Sequence, residues 1–316
     1  MENYLAELIN RMNDNSDMPL PAGKSSADTI SWKAMREAEK VEDVAYIPPL
    51  MAFINMEKDI NKRDRAYFIL GHIAKNTGDM DAAVFLINRV GKEKQRYVLS
   101  SLLDRISNLK KPAGTDLSPL INATGNDAWD IRQSAIKALS LAEGKEAEET
   151  LLRIIETSHS EYDLLYANNA LSTSGSSNSI PVLMKLLGHK KQDVSGTALY
   201  AILKLSGPEM LPLFLEQLEH GRNKFTALYG VIRYGDAKVV PNVVKRVNQL
   251  VAKQRAIEAI GTGGKTEIIV ALEFLVKYAQ EEPSIRKLYE LLRHKKYSLL
   301  WDSEKKWLAD YRKHFE

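Results

Sequence analysis

Seven apolar residues recur along the chain at near-regular intervals: Leu70, Leu103, Leu139, Leu171, Ile202, Val231 and Ile260. Their separations are 33, 36, 32, 31, 29 and 29 residues. Four residues back, one helical turn away on the same face, stand Ala66, Leu99, Ala135, Ala167, Ala198, Ala227 and Ala256, six alanines of seven. One residue before each anchor come Ile69, Leu102, Ala138, Ala170, Ala201, Gly230 and Ala259, again mostly small. A face that carries a small residue in nearly every copy lets neighbouring helices approach closely. A repeated packing contact accounts for this, and the pattern predicts one helix around each anchor.

Prolines mark the helix that comes before. Pro49, Pro119, Pro181, Pro212 and Pro241 stand 21, 20, 21, 19 and 19 residues ahead of an anchor. Proline suits the first turn of a helix, where its missing N–H costs nothing. Each is followed by apolar residues at helical spacing, such as Val182, Leu183, Leu186 and Leu187. Each unit therefore reads as a proline-started helix, a turn, and a second helix carrying the alanine and the anchor. Thr77-Gly78-Asp79, Ser174-Gly175-Ser176, Ser206-Gly207-Pro208 and Gly235-Asp236 punctuate the units. The units anchored at Leu103 and Leu171 lack the proline. An insertion around Lys110 to Gly114 explains the 36-residue step. An eighth pair is expected near residues 265–280 and 284–295. Closing helices are expected at both ends, one with Leu5, Leu8, Ile9 and Met12, the other capped by Asp302 and carrying Trp307, Leu308 and Tyr311.

At Asp130-Ile131-Arg132-Gln133-Ser134-Ala135-Ile136-Lys137-Ala138-Leu139 the chain resembles the second helix of a HEAT repeat. Ala170-Leu171 through Ser179-Ile180-Pro181-Val182-Leu183 follows the same pattern into the next unit. More closely, the chain is similar to the short bacterial HEAT-like repeats first named for phycobilisome lyases, over about residues 44 to 280. The resemblance implies an all-α, right-handed α-α superhelix of about eight helix pairs with terminal capping helices. The expected organisation is an N-terminal helix and polar linker over 1–28, the solenoid over 29–296 and a capping helix over 297–316, all one continuous structural domain. About function the resemblance says little, since such repeats serve scaffolds, adaptors and a few enzymes.

Little in the chain suggests chemistry. With no cysteine, disulfides, thiolate metal sites and cysteine nucleophiles are excluded. The N-terminus lacks a secretory signal, and no apolar run is long enough for a membrane helix. A soluble cytoplasmic protein without membrane partners is expected. Gly261-Thr262-Gly263-Gly264-Lys265-Thr266 ends like a phosphate-binding loop, but that loop needs a glycine where Ala259 stands. An inter-helix turn is the expected reading. The six histidines have no ligand spacing. Trp129 and Arg132 together resemble a pair found in HEAT-like DNA glycosylases, yet an arginine two after an aspartate also belongs to the HEAT pattern itself, where it pairs between repeats. No catalytic residue, metal site or cofactor is expected. A lyase-like or other enzyme assembled from distant repeats stays open as an alternative.

In HEAT-like arrays the second helix of each pair lines the concave side. The positions two before and two after each anchor share a face pointing away from the core. The first set reads Phe68, Ser101, Lys137, Asn169, Tyr200, Tyr229 and Glu258. The second reads His72, Arg105, Leu141, Thr173, Lys204, Arg233 and Thr262. Tyr200 with Lys204, and Tyr229 with Arg233, form the same aromatic-plus-cation pair in successive repeats, a combination found at binding hot spots. These four, with Lys137 and Asn169, are the candidate partner-binding residues. Charge is uneven along a chain whose net value is only +3. Residues 221–257 hold eight bases against Asp236 alone, whereas residues 1–60 hold eleven acids and six bases. Arg222, Lys224, Lys245, Arg246, Lys253 and Arg255 form a candidate basic patch. The expectation is a non-catalytic scaffold that binds another protein or peptide, an acidic one, in its groove. Nucleic acid held by the basic region is the alternative.

Overall fold

A computed structural model describes residues 3–258, 260–261 and 263–315. Among the described residues there is no β-strand, only two isolated bridges. The chain forms two compact units, residues 1–186 and 187–316.

The first unit contains α1 (Asn3–Met12), α2 (Ile30–Ala38), α3 (Ile47–Met56), α4 (Ile60–Thr77), α5 (Met80–Val90), α6 (Arg96–Ile106), α7 (Ser118–Ala123), α8 (Trp129–Ala138), α9 (Lys145–Thr157), α10 (Glu161–Ser174) and α11 (Ile180–Lys185). Helices α3/α4, α5/α6, α7/α8 and α9/α10 pack as pairs, and α4, α6, α8 and α10 stack in series. The anchors Leu70, Leu103, Leu139 and Leu171 are fully buried, as are Ala66, Ala135 and Ala167. Pro49, Pro119 and Pro181 each fall in the first turn of a helix. Polar residues fix the boundaries. The Asp59 carboxylate accepts from the Lys62 N–H and Asp79 from the Ala82 N–H, which caps α4 and α5. Gly78 closes α4 at φ 74°, a conformation costly for other residues.

Ion pairs link successive repeats. Arg63 reaches Glu93 at 2.9 Å, Arg96 reaches Asp130 at 2.7 Å and Arg132 reaches Asp163 at 3.0 Å. The Glu93 and Asp163 carboxylates are buried, so losing either arginine leaves an uncompensated charge. The Arg96–Asp130 pair is exposed and contributes little. The N-terminal helix is docked. Leu5, Leu8, Ile9 and Met12 are buried, α1 packs on α2 and α4, and Arg11 holds Glu37 through two bonds of 2.8 and 2.9 Å.

The second unit contains α12 (Gln192–Leu205), α13 (Leu211–His220), α14 (Lys224–Tyr234), α15 (Val240–Leu250), α16 (Glu267–Leu275), α17 (Pro283–Glu290) and α18 (Asp302–Asp310). Pro212 and Pro241 open α13 and α15 as expected. Ile202, Val231, Ala198 and Ala227 are fully buried. Gly230 lies directly on the Phe214 ring: a Cβ there would sit 2.2 Å from a ring carbon. The eighth pair is present as α16, extended by a 3-10 turn to Tyr278, and α17.

The seventh unit departs from expectation. Its proline-started helix α15 forms, but the described residues between 251 and 266 run as an irregular loop instead of a second helix. Ile260 is 61% exposed and Ala256 is also exposed; Ala259 lies outside the described residues. Two causes act together. Gly261, Gly263 and Gly264 disfavour helix by about 1 kcal/mol each, and the last two adopt φ of 86° and 73°. Arg255 is drawn away by the fully buried Glu304, which it grips at 2.7 and 2.5 Å. At the C-terminal end Asp302 does not cap α18. Glu304 does, accepting from the Trp301 N–H at 2.9 Å. Trp307 is buried, with Tyr311 stacked on it at 4.3 Å.

Candidate functional site

The four central residues of the expected groove meet in the second unit. Tyr200 and Lys204 lie one turn apart on α12, Tyr229 and Arg233 one turn apart on α14, and the two helices pack side by side. None of the four is buried, because their positions flank the anchor on the face turned away from the core. They line one cavity of about 460 Å³, shared with Leu203, Phe225, Thr226, Ile232 and Gly261.

The cavity has an aromatic floor and a cationic edge. Phe225 stacks on Tyr229 with centroids 5.1 Å apart and planes 11° from parallel. The Lys204 ammonium lies 5.8 Å from the Tyr200 ring centre, within reach of a cation–π attraction. Arg233 donates from Nη1 to the Leu203 carbonyl at 3.1 Å, and its guanidinium sits over Tyr234. Burial pushes the Tyr229 phenol above its usual range, so it stays protonated at neutral pH. A second cavity of about 440 Å³ adjoins the first across Tyr229 and Ile232 and is bounded by Lys265, Glu273, Phe274 and Lys277. Lys265 is held by both Glu273 oxygens at 2.7 and 2.9 Å, and Lys277 lies 5.9 Å from the Phe274 ring.

Phe225, Ile232 and Gly261 are lining residues that the repeat register did not single out. Phe225 had a signal, since it stands one turn before Tyr229 on the same helix face. Gly261 arrives from the loop that replaces the seventh second helix. A Cβ at Gly261 would lie 2.6 Å from Phe225, so the backbone can close this wall only as glycine.

Other expected residues lie elsewhere. Lys137 and Asn169 belong to the first unit and do not line this cavity. Lys137 pairs with Asp104 at 2.5 Å and lies 5.2 Å from the Tyr166 ring. Asn169 is exposed. Leu141 falls beyond the end of α8, at φ 58°, and so is not on the helix face assigned to it. Thr262 lies outside the described residues.

The basic stretch is largely occupied by internal partners. Arg246 grips Glu267 at 2.7 and 3.0 Å, Arg255 grips Glu304, and Lys245 pairs with Glu219 at 2.6 Å. Arg222 donates to the His189 and Lys190 carbonyls and Lys224 to that of Glu219. Lys253 is exposed. The acids that pair with Lys245, Arg246 and Arg255, namely Glu219, Glu267 and Glu304, lie outside residues 221–257. The glycine-rich segment is likewise used internally. Lys265 holds Glu273, and the Thr266 hydroxyl donates to Glu304 at 2.7 Å while its oxygen caps α16. Arg132 is committed to Asp163, the inter-repeat pairing of the HEAT pattern, and Trp129 is 62% exposed. Among the described residues no group of histidines and acids stands close enough to hold a metal ion, and no helix is long and apolar enough to cross a membrane.

Neither a protein-family model nor a curated protein sequence matches the chain. Solved structures do. Kap121p bound to Nup53p is similar at 13% identity and TM-score 0.60, covering 98% of this chain and 40% of that one. Kap121p bound to Ste12p is similar at 12% identity and TM-score 0.58, with the same coverage. The complex of CpcE and CpcF of phycocyanin lyase from Nostoc sp. PCC7120 gives 17% identity and TM-score 0.45, over 79% of this chain and 93% of that one. This chain spans about two fifths of the length of Kap121p. At such identities the likeness is one of fold alone: the chain is an all-α protein of stacked HEAT-like helix pairs.

Proposed function

We propose that the protein is a non-catalytic interaction scaffold whose second unit binds an extended, acidic peptide segment of a protein partner. One observation carries this reading. Two tyrosine–cation pairs from successive repeats line a single open cavity of about 460 Å³ together with Phe225 and Ile232. Rigid aromatic rings bury large area at low entropic cost, and Lys204 and Arg233 at the edge favour carboxylates over ammonium groups. The adjoining cavity prolongs the aromatic surface through Phe274, which suits a segment several residues long. The fold supports the same class of function, since the similar Kap121p structures hold Nup53p and Ste12p. Nucleic acid is the weaker reading, because three of the eight bases of residues 221–257 pair with Glu219, Glu267 and Glu304, and Arg222, Lys224 and Arg233 donate to backbone carbonyls.

Selection from a random peptide display library tests it. The enriched peptides are expected to combine acidic with apolar or aromatic residues. Tyr200→Ala with Tyr229→Ala is expected to weaken them at least about 30-fold, the loss typical of a hot spot. Retention of the same peptides by that variant refutes the groove assignment. Binding of a single-stranded oligonucleotide that weakens steeply with salt would favour the nucleic-acid reading.

A further inference from the structure

The two cavities of the second unit differ in charge. Tyr229 and Ile232 of α14 line both, and so form the ridge between them. On the α12 side stand Lys204 and Arg233, and among the described residues no acidic side chain lines that cavity. On the α16 side Glu273 holds Lys265 through both oxygens, and Lys277 lies 5.9 Å from the Phe274 ring. Val270 and Phe274, both buried, give that wall its apolar part. We propose, resting on the groove reading above, that the two cavities read two residues of the partner segment three positions apart. The first takes an aromatic residue with an acidic neighbour, the second takes an uncharged apolar residue, and the segment binds as a polyproline II helix.

Charge and shape set the residue each cavity takes. A volume of about 460 Å³ is too large for a carboxylate alone. It accommodates a ring laid on Phe225 and Tyr229, which already stack with their planes 11° from parallel. Lys204 and Arg233 at the edge then meet the residue beside that ring, and two cations with no acid among them favour a carboxylate there. Arg233 is fixed across α12 and α14 by its bond to the Leu203 carbonyl, so little of its freedom is lost on binding. In the second cavity an acid gains less, because Glu273 already meets the charge of Lys265. Ile232, Val270 and Phe274 there favour an apolar side chain.

Helix packing sets the spacing. Helix α14 packs against both α12 and α16, and packed helix axes stand about 8–10 Å apart. The grooves on the two sides of α14 are therefore separated by about the same distance. A segment that enters both crosses the helices. A β-strand returns to one face after two residues, at about 6.8 Å, and after four, at about 13.6 Å, and neither step fits. Polyproline II returns to one face after three residues, at about 9.3 Å, which does. Prolines between the two reading positions pre-set this form and lower the cost of ordering the segment.

The test uses the intact protein and blocked, fluorescein-labelled peptides built on a phenylalanine–aspartate pair. A leucine follows two, three or four residues after the phenylalanine, with proline at any position left between. Fluorescence polarisation reads affinity, and the methyl resonances of Leu203 and Val270 report on the two cavities by NMR. The three-residue spacing is expected to bind at least about tenfold more tightly than either other spacing, or than the same peptide with alanine for leucine. It is expected to move both methyl resonances, whereas the alanine peptide moves Leu203 alone. Asparagine in place of the aspartate is expected to weaken binding at least about threefold, and equal binding overturns the acidic neighbour. If Leu203 shifts but Val270 does not, or if no spacing or another spacing is preferred, the register is overturned and the groove stands. Leu203 unmoved by every peptide overturns the groove and the register together.

Discussion

Lys111 gives the sharpest quantitative prediction. It lies in the insertion that lengthens one repeat, where its backbone pairs with Leu141 and Glu143 and its side chain turns inward, wholly buried. The ammonium donates to the carbonyls of Ile106 at 2.9 Å and Leu109 at 2.5 Å, with no carboxylate among its partners. Burial therefore pushes its pKa from the ordinary 10.5 down to about 7. The unfolded chain holds this proton more tightly than the folded one, so between pH 7 and 10.5 the unfolded state binds more protons. Stability must rise with pH across that window, and below pH 7 the folded state carries the full penalty. The gap between the two pKa values corresponds to about 5 kcal/mol, of which about 2 kcal/mol falls between pH 7 and 9. Lys111→Met keeps the apolar stem and removes the titration. Chemical denaturation followed by circular dichroism at pH 6, 7, 8 and 9 is the assay. The wild type is expected to gain about 2 kcal/mol on the variant between pH 7 and 9. Only the difference in slope is diagnostic, because the variant also strips the Leu109 carbonyl of the ammonium, at about 1–3 kcal/mol, whereas the Ile106 carbonyl keeps the Leu109 N–H. Parallel pH profiles for the two proteins would refute the reasoning, for they would mean that the buried amine keeps an ordinary pKa.

Two further substitutions probe the packing of the second unit. Gly230→Ala places a methyl group into the Phe214 ring and is expected to cost about 1–3 kcal/mol despite the better helix propensity of alanine; an unchanged thermal midpoint would count against so close an approach of α13 and α14. Arg255→Ala leaves the fully buried Glu304 with only the Thr266 hydroxyl and the Trp301 N–H. The expected cost is about 3–5 kcal/mol, with faster amide exchange over residues 251–266, and normal exchange there would show that Arg255 does not anchor the loop.

The solenoid register was legible wherever one strong local rule governed the helix. The alanine-then-anchor pairs at Ala66 and Leu70, Ala135 and Leu139, Ala167 and Leu171, Ala198 and Ile202, and Ala227 and Val231 are all buried in helical stacks. Proline at the helix start succeeded for the same reason, since it acts through φ and a missing donor within one turn. What could not be read was long-range pairing. The bases of residues 221–257 form a strong charge run in sequence, but whether they stay free depends on Glu219, Glu267 and Glu304, and the last lies 49 residues from the Arg255 it binds. Likewise Ala256 and Ile260 satisfied the repeat pattern, while the glycines that follow and the pull of Glu304 on Arg255 overrode it.

That failed repeat and the proposed groove are connected. In a complete array the second helix of the seventh pair would lie beside α14. Instead the chain passes α14 as a loop that sets Gly261 against Phe225 and Tyr229, and α14 packs against α16. The rings of Phe225 and Tyr229 line one cavity, and Tyr229 also bounds the next. Local breaks in an otherwise consistent pattern are where functional sites are to be expected, and here the break brings Gly261 into the wall of the cavity. A partner segment bound there would sit on this aromatic area, flanked by Lys204 and Arg233. The groove and the stability of the loop are therefore coupled: Arg255→Ala, which touches no lining residue, should weaken peptide binding in proportion to the loop order it destroys.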